Sequence, residues 1–333
     1  MTSTSGRSPA SAAPLLLDPA FQSRIWGGRR LADDFGYTGV PDGPVGECWG
    51  ISARANGAST VRNGPHAGRT LAQVWDRDPA FFGRDGAAGG DEPFPLLVKF
   101  LDAADWLSVQ VHPTDDEALR LEGEPLGKTE CWYVVAAEPG AELIIGHRAG
   151  DANELAAMVR AGRWDDLLLR RPVRRGDFVY VPSGTVHAVG PGLVICEVQQ
   201  NCDTTYRVYD FDRTDATTGH PRQLHLDKAL EVMSAPYDPA TTDTAATPVA
   251  VAGGHCQQLV AGPFFTATRH LIDGNDYRCE TATFEVCTVV DGHGTATIAG
   301  SRYQLGIGDH FVLPVDATMT VSGQLTIISA RPT

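Results

Sequence analysis

The stretch KFLDAADWLSVQVHPTDDEALRLEGEPLGKTECWY, residues 99–133, decides the fold. Along an extended chain, alternation sends Gln110 and His112 to one face and the flanking valines to the other. Glu130 follows a polar, helix-prone interruption and opens a second apolar strand. A buried glutamine amide without a partner costs roughly 1 to 3 kcal/mol. The pattern therefore predicts two β-strands whose polar side chains meet partners on an inner face.

A second motif supplies one more histidine. The run GDFVYVPSGTVHAV, residues 176–189, reads as turn, strand, turn and a return strand that begins at His187. A single histidine on a strand is more often structural than a metal ligand. Gln110, His112, Glu130 and His187 together offer nitrogen and oxygen ligands without thiolate, a set that suits zinc, manganese or iron and leaves positions open for substrate.

Composition limits the classes of partner. A chain of 333 residues with 42% hydrophobic residues can bury a substantial core and is long enough for two domains. A net charge of -14 argues against nucleic acid as a partner, although a local basic pocket could still bind a small anion. No apolar run is long enough to span a membrane, so no membrane partner is expected.

The cysteines indicate a reducing compartment. Seven cysteines leave one unpaired in any disulfide scheme, and no two of them form a CxxC pair. A cytoplasmic protein with free thiols is the simplest interpretation.

The C-terminal part repeats the first half in outline. The run GDHFVLPVDATMTV, residues 308–321, aligns with residues 176–189, and Met319 then takes the place of His187. The run FEVCTVVDGHG, residues 284–294, likewise aligns with the strand that begins at Glu130, but no Gln-x-His precedes it. We expect a mainly β fold of two similar barrels, of which only the first binds metal.

Domain bounds follow from composition. We expect a disordered tail over 1–14, a first domain over 15–235, a linker rich in Pro, Thr and Ala over 236–250, and a second domain over 251–333. Apolar residues at helical spacing within 151–173 predict a helical insertion that covers one face of the first barrel.

Four runs in this order, LLVKFLDAADWLSVQVHP, GKTECWY, VPSGTVHAVG and QQNCDTTYRVYDFDR, resemble the class I phosphomannose isomerases of the short bacterial type. The resemblance implies two cupin-like jelly-roll barrels, the first of them catalytic. It also implies interconversion of D-mannose 6-phosphate and D-fructose 6-phosphate, a step of mannose metabolism in which a proton moves between C1 and C2 through an enediol.

The resemblance assigns metal ligands as well. One zinc ion per chain would be held by Gln110, His112, Glu130 and His187. Such an ion can polarise the sugar carbonyl and orient the substrate.

Further residues take their roles from the same family. The family's arginine in the strand after the second ligand motif falls on Arg207, and Lys128 would join it in stabilising negative charge on the sugar oxygens. The acidic residue four positions before that arginine is Asp203. Lys99 with Ser108 is our choice for the phosphate group.

Three points depart from the family or stay open. A histidine that often precedes the second lysine is Gly127 here, so no acid-base role can be assigned to that position. The large helical insertion of longer relatives is also absent. The proton could be carried by Asp203, by Glu130 or by a metal-bound water.

Two other classes of function remain. A cupin that uses iron with dioxygen usually shows a His-x-His pair, from which Gln110 departs. A non-catalytic sugar-binding cupin would explain the barrels but not the retained ligand set. The oligomeric state is open, and a monomer is compatible with the sequence.

Lysine usage leads to a first prediction. Only Lys99, Lys128 and Lys228 are lysine among 27 basic residues, so arginine serves at every other basic position. If the ammonium of Lys128 must fit close to the sugar oxygens, the wider guanidinium of Lys128→Arg displaces the substrate, and misplacement by about an ångström can cost about 10²-fold in rate. We expect kcat/KM to fall at least about tenfold, with metal content and thermal stability unchanged.

Lys228→Arg, on a helix predicted to be exposed, is the matched control and should be silent. Equal kinetics of the two variants would remove Lys128 from the catalytic residues.

Overall fold

The computed structural model describes residues 13–84, 92–215 and 218–333, and within them the chain forms 21 strands and six α-helices. The predicted mainly β fold is confirmed. No helix among these residues combines the length and the apolar character that crossing a membrane requires.

Two antiparallel sheets form the first barrel. The six-stranded sheet has the order β10-β7-β12-β5-β2-β3 and consists of β2 (Ala20–Gly28), β3 (Val45–Ile51), β5 (Leu96–Ala103), β7 (Glu130–Ala137), β10 (Phe178–Val181) and β12 (Leu193–Gln200). The five-stranded sheet has the order β13-β6-β11-β8-β9 and consists of β6 (Val109–Val111), β8 (Glu142–His147), β9 (Leu168–Pro172), β11 (His187–Val189) and β13 (Tyr206–Tyr209).

The two sheets share one apolar core. Trp132 and Ile195 of the six-stranded sheet belong to the same buried cluster as Leu143 and Val189 of the five-stranded sheet. Strand alternation places these residues inward, together with the polar side chains that share their face. The face that the two sheets share therefore carries a buried apolar core.

The described residues contain six α-helices: α1 (Arg30–Asp33), α2 (Leu71–Arg77), α3 (Asp115–Glu122), α4 (Ala152–Arg160), α5 (Trp164–Leu167) and α6 (Leu226–Val232). Three of them, α4, α5 and α6, cover the outer face of the five-stranded sheet. Leu155 of α4, Leu167 of α5 and Val232 of α6 pack in one cluster with Val109 and Val111. The predicted helical insertion is confirmed as α4 and α5, and the valines that flank Gln110 point away from the site as predicted.

The C-terminal half is built on a ten-stranded sheet. Its members are β1 (Leu15–Asp18), β4 (Thr60–Val61), β14 (Val249–Val251), β15 (Gly254–Ala261), β16 (Phe265–Ile272), β17 (Tyr277–Glu280), β18 (Glu285–Ile298), β19 (Ser301–Gly306), β20 (His310–Leu313) and β21 (Thr318–Pro332). The β18 strand includes Gly292, which has φ +72°, and pairs with β20 before this point and with β19 after it. One long strand thus has two successive neighbours on the same edge.

The two barrels repeat in register. Glu130 of β7 pairs with Val181 of β10, and in the second barrel Glu285 of β18 pairs with Leu313 of β20. The turn that follows each of these strands matches as well. Gly184 has φ +85°, and Asp316 at the aligned position has φ +56°, a conformation that aspartate tolerates better than most residues.

Contacts divide the chain into two compact units that interleave along the sequence. One comprises the described residues within Met1–Ala20, Trp49–Val98 and Ala245–Thr333, and the other Phe21–Cys48 and Lys99–Thr244. The predicted domain bounds assume consecutive segments and stay a prediction.

The structure describes little of the predicted tail but all of the predicted linker. Most of the predicted tail, 1–14, lies outside the described residues. The predicted linker, 236–250, contains a 3-10 helix over Pro239–Thr241 and the start of β14.

The repeat gives a prediction about packing. Met319 is 2% exposed in the core of the second barrel. Met319→Ala should lower the free energy of unfolding by roughly 2 to 5 kcal/mol through the cavity it leaves, and should leave metal content unchanged. Met319→Leu, which nearly conserves volume, should cost less than about 1.5 kcal/mol. Urea unfolding and metal analysis of the three proteins check this, and a bound metal that disappears with Met319→Ala would contradict it.

Candidate active site

Strand pairing brings three predicted site residues into one row. β6 lies between β11 and β13, so Gln110 is directly opposite His187 on one side and Arg207 on the other. Side chains at directly opposite positions of neighbouring strands lie on the same face of the sheet. Because Gln110 points inward, His187 and Arg207 point inward too.

The four predicted metal ligands converge. The ligand atoms of His112, Glu130 and His187 all lie within 4.8 Å of one another, and all three side chains are buried. Glu130 Oε2 is 3.5 Å from His112 Nε2, and Glu130 Oε1 is 3.4 Å from His187 Nε2. The Gln110 amide nitrogen lies 3.5 Å from His112 Nε2 and 3.3 Å from His187 Nε2. A half-turn of the amide would direct Oε1 to the same point.

Backbone carbonyls fix the protonation of both histidines. His112 Nδ1 donates to the carbonyl oxygen of Thr204, and His187 Nδ1 donates to that of Thr185, each at 2.9 Å. Burial, with the nearby Lys128, lowers the pKa of His112 well below its usual value, and burial lowers the pKa of His187 to about 3. Both rings are therefore neutral, and each directs the lone pair of Nε2 into the cluster.

This arrangement fits a bound cation. Glu130 Oε1 is buried and has no hydrogen-bond partner among the described residues. It faces the lone pair of His187 Nε2, and burial raises the pKa of Glu130 to about 7. A buried acceptor left without a partner is costly, and a metal ion would satisfy both atoms. The donor set is one of nitrogen and oxygen without thiolate, as predicted.

Lys128 lies beside the ligand cluster. Its Nζ contacts Glu130 Oε2 and lies 3.2 Å from His112 Nε2. Burial disfavours the ammonium, but the carboxylates of Glu130 and Glu197 more than offset this and raise the pKa of Lys128 above its usual value. Lys128 thus keeps its charge while 3% exposed.

A cavity of about 410 Å³ opens above the cluster. Gln110 and Lys128 line it, whereas His112, Glu130 and His187 lie deeper. All of the predicted catalytic and phosphate-binding residues line it as well: Lys99, Ser108, Lys128, Asp203 and Arg207. The structure therefore brings all nine predicted site residues to one place.

The two predicted phosphate partners are already engaged. Lys99 Nζ lies 3.8 Å from Glu47 Oε2 and 3.5 Å from Glu197 Oε1. Ser108 Oγ lies 3.4 Å from Gln110 Oε1. Both residues line the cavity, but two carboxylates flank the ammonium group.

Arg207 and Asp203 differ in their surroundings. Arg207 Nη1 donates to the carbonyl oxygen of Gln223 at 2.8 Å, and its buried Nε has no partner among the described residues. Burial, together with Arg222, lowers the pKa of Arg207. Asp203 makes no ion pair or hydrogen bond within the described part of the chain, and its charge contributes to the raised pKa of Lys128.

Gly127 stands where longer relatives often have histidine, and the backbone explains it. A Cβ at this position would lie 2.5 Å from the carbonyl oxygen of Pro113 and 2.7 Å from the backbone nitrogen of Asp115. The chain passes so closely that only glycine fits. Position 127 therefore cannot carry a catalytic side chain in this protein.

Two carboxylates of the cavity were not predicted from the sequence. Glu197 lies on the fully buried strand β12, where it accepts a hydrogen bond from Trp132 Nε1 and faces both Lys99 and Lys128, at 3.5 and 3.9 Å. Glu47, on β3, binds Arg24 through two hydrogen bonds. The sequence did contain a signal for both residues, namely a carboxylate within an apolar strand. Because a buried charge requires a partner, such a carboxylate indicates a cation nearby.

Comparison with known proteins places the chain in a family. The model of the phosphomannose isomerase type I catalytic domain matches residues 15–130, and the model of the mannose-6-phosphate isomerase cupin domain matches residues 255–332. The mannose-6-phosphate isomerase of Streptococcus mutans is 45% identical over 96% of this chain and 98% of its own length. The chain belongs to the type I phosphomannose isomerases.

Solved structures agree with this assignment. The crystal structure of the mannose 6-phosphate isomerase from Bacillus subtilis superimposes with a TM-score of 0.88 at 40% identity, covering 96% of this chain and 99% of the other. A phosphomannose isomerase structure from Salmonella typhimurium has the same fold, with a TM-score of 0.78 at 15% identity over 96% of this chain and all of its own. Family membership decides for the isomerase among the three classes of function that the sequence left open.

The carboxylate shared by the two lysines generates a prediction. Glu197→Gln removes the negative charge that holds Lys99 and Lys128 in the cavity wall, and we expect kcat/KM to fall at least about tenfold. Metal content should stay the same, because the carboxylate of Glu197 is not among the clustered ligand atoms. Steady-state kinetics and metal analysis check both. Glu138→Gln, at an exposed position, is the control, and an equal effect of the two variants would refute the role of Glu197.

Proposed function

We propose that this isomerase uses one zinc ion per chain, held by Gln110, His112, Glu130 and His187, to interconvert D-mannose 6-phosphate and D-fructose 6-phosphate. The observation that carries the proposal is the buried pair of lone pairs at Glu130 Oε1 and His187 Nε2 within a nitrogen and oxygen donor set. When bound, the ion would polarise the sugar carbonyl.

The charged residues of the cavity stabilise the reaction. Negative charge develops on the sugar oxygens as the proton leaves carbon. Lys128, whose pKa is raised, presents a fixed ammonium beside the cluster, and Arg207 presents N–H groups from the neighbouring strand. Removal of one preorganised donor of this kind typically costs about 2.7 to 4 kcal/mol in activation free energy.

Asp203 is the proposed proton carrier between C1 and C2. It lines the cavity and has no partner among the residues that the structure describes. Both oxygens of Glu130 face other groups of the cluster, and Glu197 lies against two lysines. A carboxylate free of such partners can reach the substrate and exchange a proton with carbon.

A cytoplasmic location suits this chemistry. All seven cysteine thiols are free, and five of them are buried. A sugar phosphate is the expected small-molecule partner, and the cavity supplies the cations that an anionic substrate needs. The oligomeric state is left open by these observations.

The metal proposal is tested with purified protein. We expect about one zinc per chain and conversion of fructose 6-phosphate. A chelator should abolish this activity, and added zinc should restore it. His187→Ala should lose both metal and turnover, because it removes one of the few ligands. Circular dichroism should show that the variant remains folded.

His293→Ala, at an exposed position in the C-terminal half, is the matched control and should keep both metal and turnover. Full activity of metal-free His187→Ala would refute the metal role. A stoichiometric metal other than zinc would refute only the identity of the ion.

A further inference from the structure

A buried carboxylate at the end of β13 organises several arginines. Asp210, which is 5% exposed, binds Arg213 Nη2 at 2.6 Å and Arg222 through two hydrogen bonds, Nη2 at 2.5 Å and Nε at 2.8 Å. Arg213 is further fixed by the carbonyl oxygen of Trp106 and by Asp105. Arg213 thus has two carboxylates, whereas Arg222 must share the charge of Asp210.

Arg222 and Arg207 line the same cavity and both retain unused donors. Asp210 occupies the Nε and Nη2 side of the Arg222 guanidinium, so its Nη1 has no hydrogen bond within the described residues. Arg207 uses Nη1 on a carbonyl oxygen, and its buried Nε has no partner there either. Arg207 is the proposed partner of the sugar oxygens, so Arg222, with free N–H groups and incomplete charge compensation, is the cation left for an anion beside it.

Lys99, which the sequence predicted to bind the phosphate group, is less suitable for this dianion than the arginines are. Its ammonium lies between Glu47 and Glu197, so a phosphate placed there would also meet two carboxylates. A phosphate group carries about 1.5 to 2 negative charges at neutral pH, which makes such a neighbour costly.

We propose that Arg222 binds the phosphate group of the sugar phosphate beside Arg207, and that Asp210 is the positioning residue that holds the Arg222 guanidinium toward the cavity. This inference rests on the proposed function. The geometry uses one edge of the guanidinium for the carboxylate and leaves the other for two phosphate oxygens. Lysine at position 222 could supply charge but not both contacts.

The phosphate group does not change during the reaction. Its contacts therefore contribute equally to binding of the substrate and of the transition state, and their loss should raise KM while kcat is retained. A residue that acts on the reacting carbons would lower kcat instead. This difference separates Arg222 from Lys128 and Asp203.

The experiment measures steady-state kinetics with mannose 6-phosphate and competitive inhibition by inorganic phosphate. Arg222→Gln should raise KM and the phosphate inhibition constant together, by at least about tenfold, since hydrogen bonds to charged groups are the strong ones. Arg222→Lys should show an intermediate rise. Asp210→Asn should change both constants in the same direction, and zinc content should be normal in all three.

Arg163→Gln, from an exposed ion pair with Asp166, is the matched control and should leave both constants unchanged.

Two outcomes would contradict the proposal. Unchanged constants in Arg222→Gln, with a rise of both in Lys99→Gln, would overturn the proposal and place the phosphate at Lys99 and Ser108. A fall in kcat at constant KM in Arg222→Gln would also overturn it. If Asp210→Asn does not fold, the two Arg222 variants still decide. Calorimetric binding of inorganic phosphate to the wild type and to Arg222→Gln needs no turnover, so it tests this site even if the proposed reaction fails.

Discussion

The contact on which the site depends is the approach of Glu130 Oε1 to His187 Nε2 at 3.4 Å. His187 Nε2 presents a lone pair there, because Nδ1 of the ring donates to a backbone carbonyl oxygen. Burial raises the pKa of Glu130 to about 7, and a cation between or beside the two atoms would stabilise the charged carboxylate. The surrounding structure serves this requirement: two sheets bring the strands together, and carbonyl groups set both rings.

The second barrel shows the same frame without that requirement. Glu285 occupies the strand position of Glu130, but it accepts a hydrogen bond from Ser329 Oγ at 3.1 Å. His187 is replaced by the apolar Met319. Burial raises the pKa of Glu285, which favours a neutral carboxyl with a hydroxyl partner. The same backbone register therefore accommodates either a cation site or an ordinary core.

Local sequence patterns predicted what alternation and turns control. The inward direction of Gln110 and His112, the helices α4 and α5, and the turn shared by Gly184 and Asp316 all follow from short-range rules. Glu197 was missed because its partners Trp132 and Lys99 are far away in the sequence. The pairing of Asp210 with Arg222 was missed as well. Nothing local in Asp210 indicates that Arg222 will fold back onto it, twelve residues later.

The interleaved pairing of β1 has a consequence for folding during synthesis. Leu15 of β1 pairs with Val312 of β20. The ribosome therefore synthesises this partner strand about 300 residues after β1. At about 5 to 20 residues per second, the nascent strand waits roughly tens of seconds for it. Its other edge is occupied sooner, because Leu17 pairs with Val61. The early β1 and β4 pair can thus shield an apolar segment that would otherwise stay exposed to aggregation throughout translation.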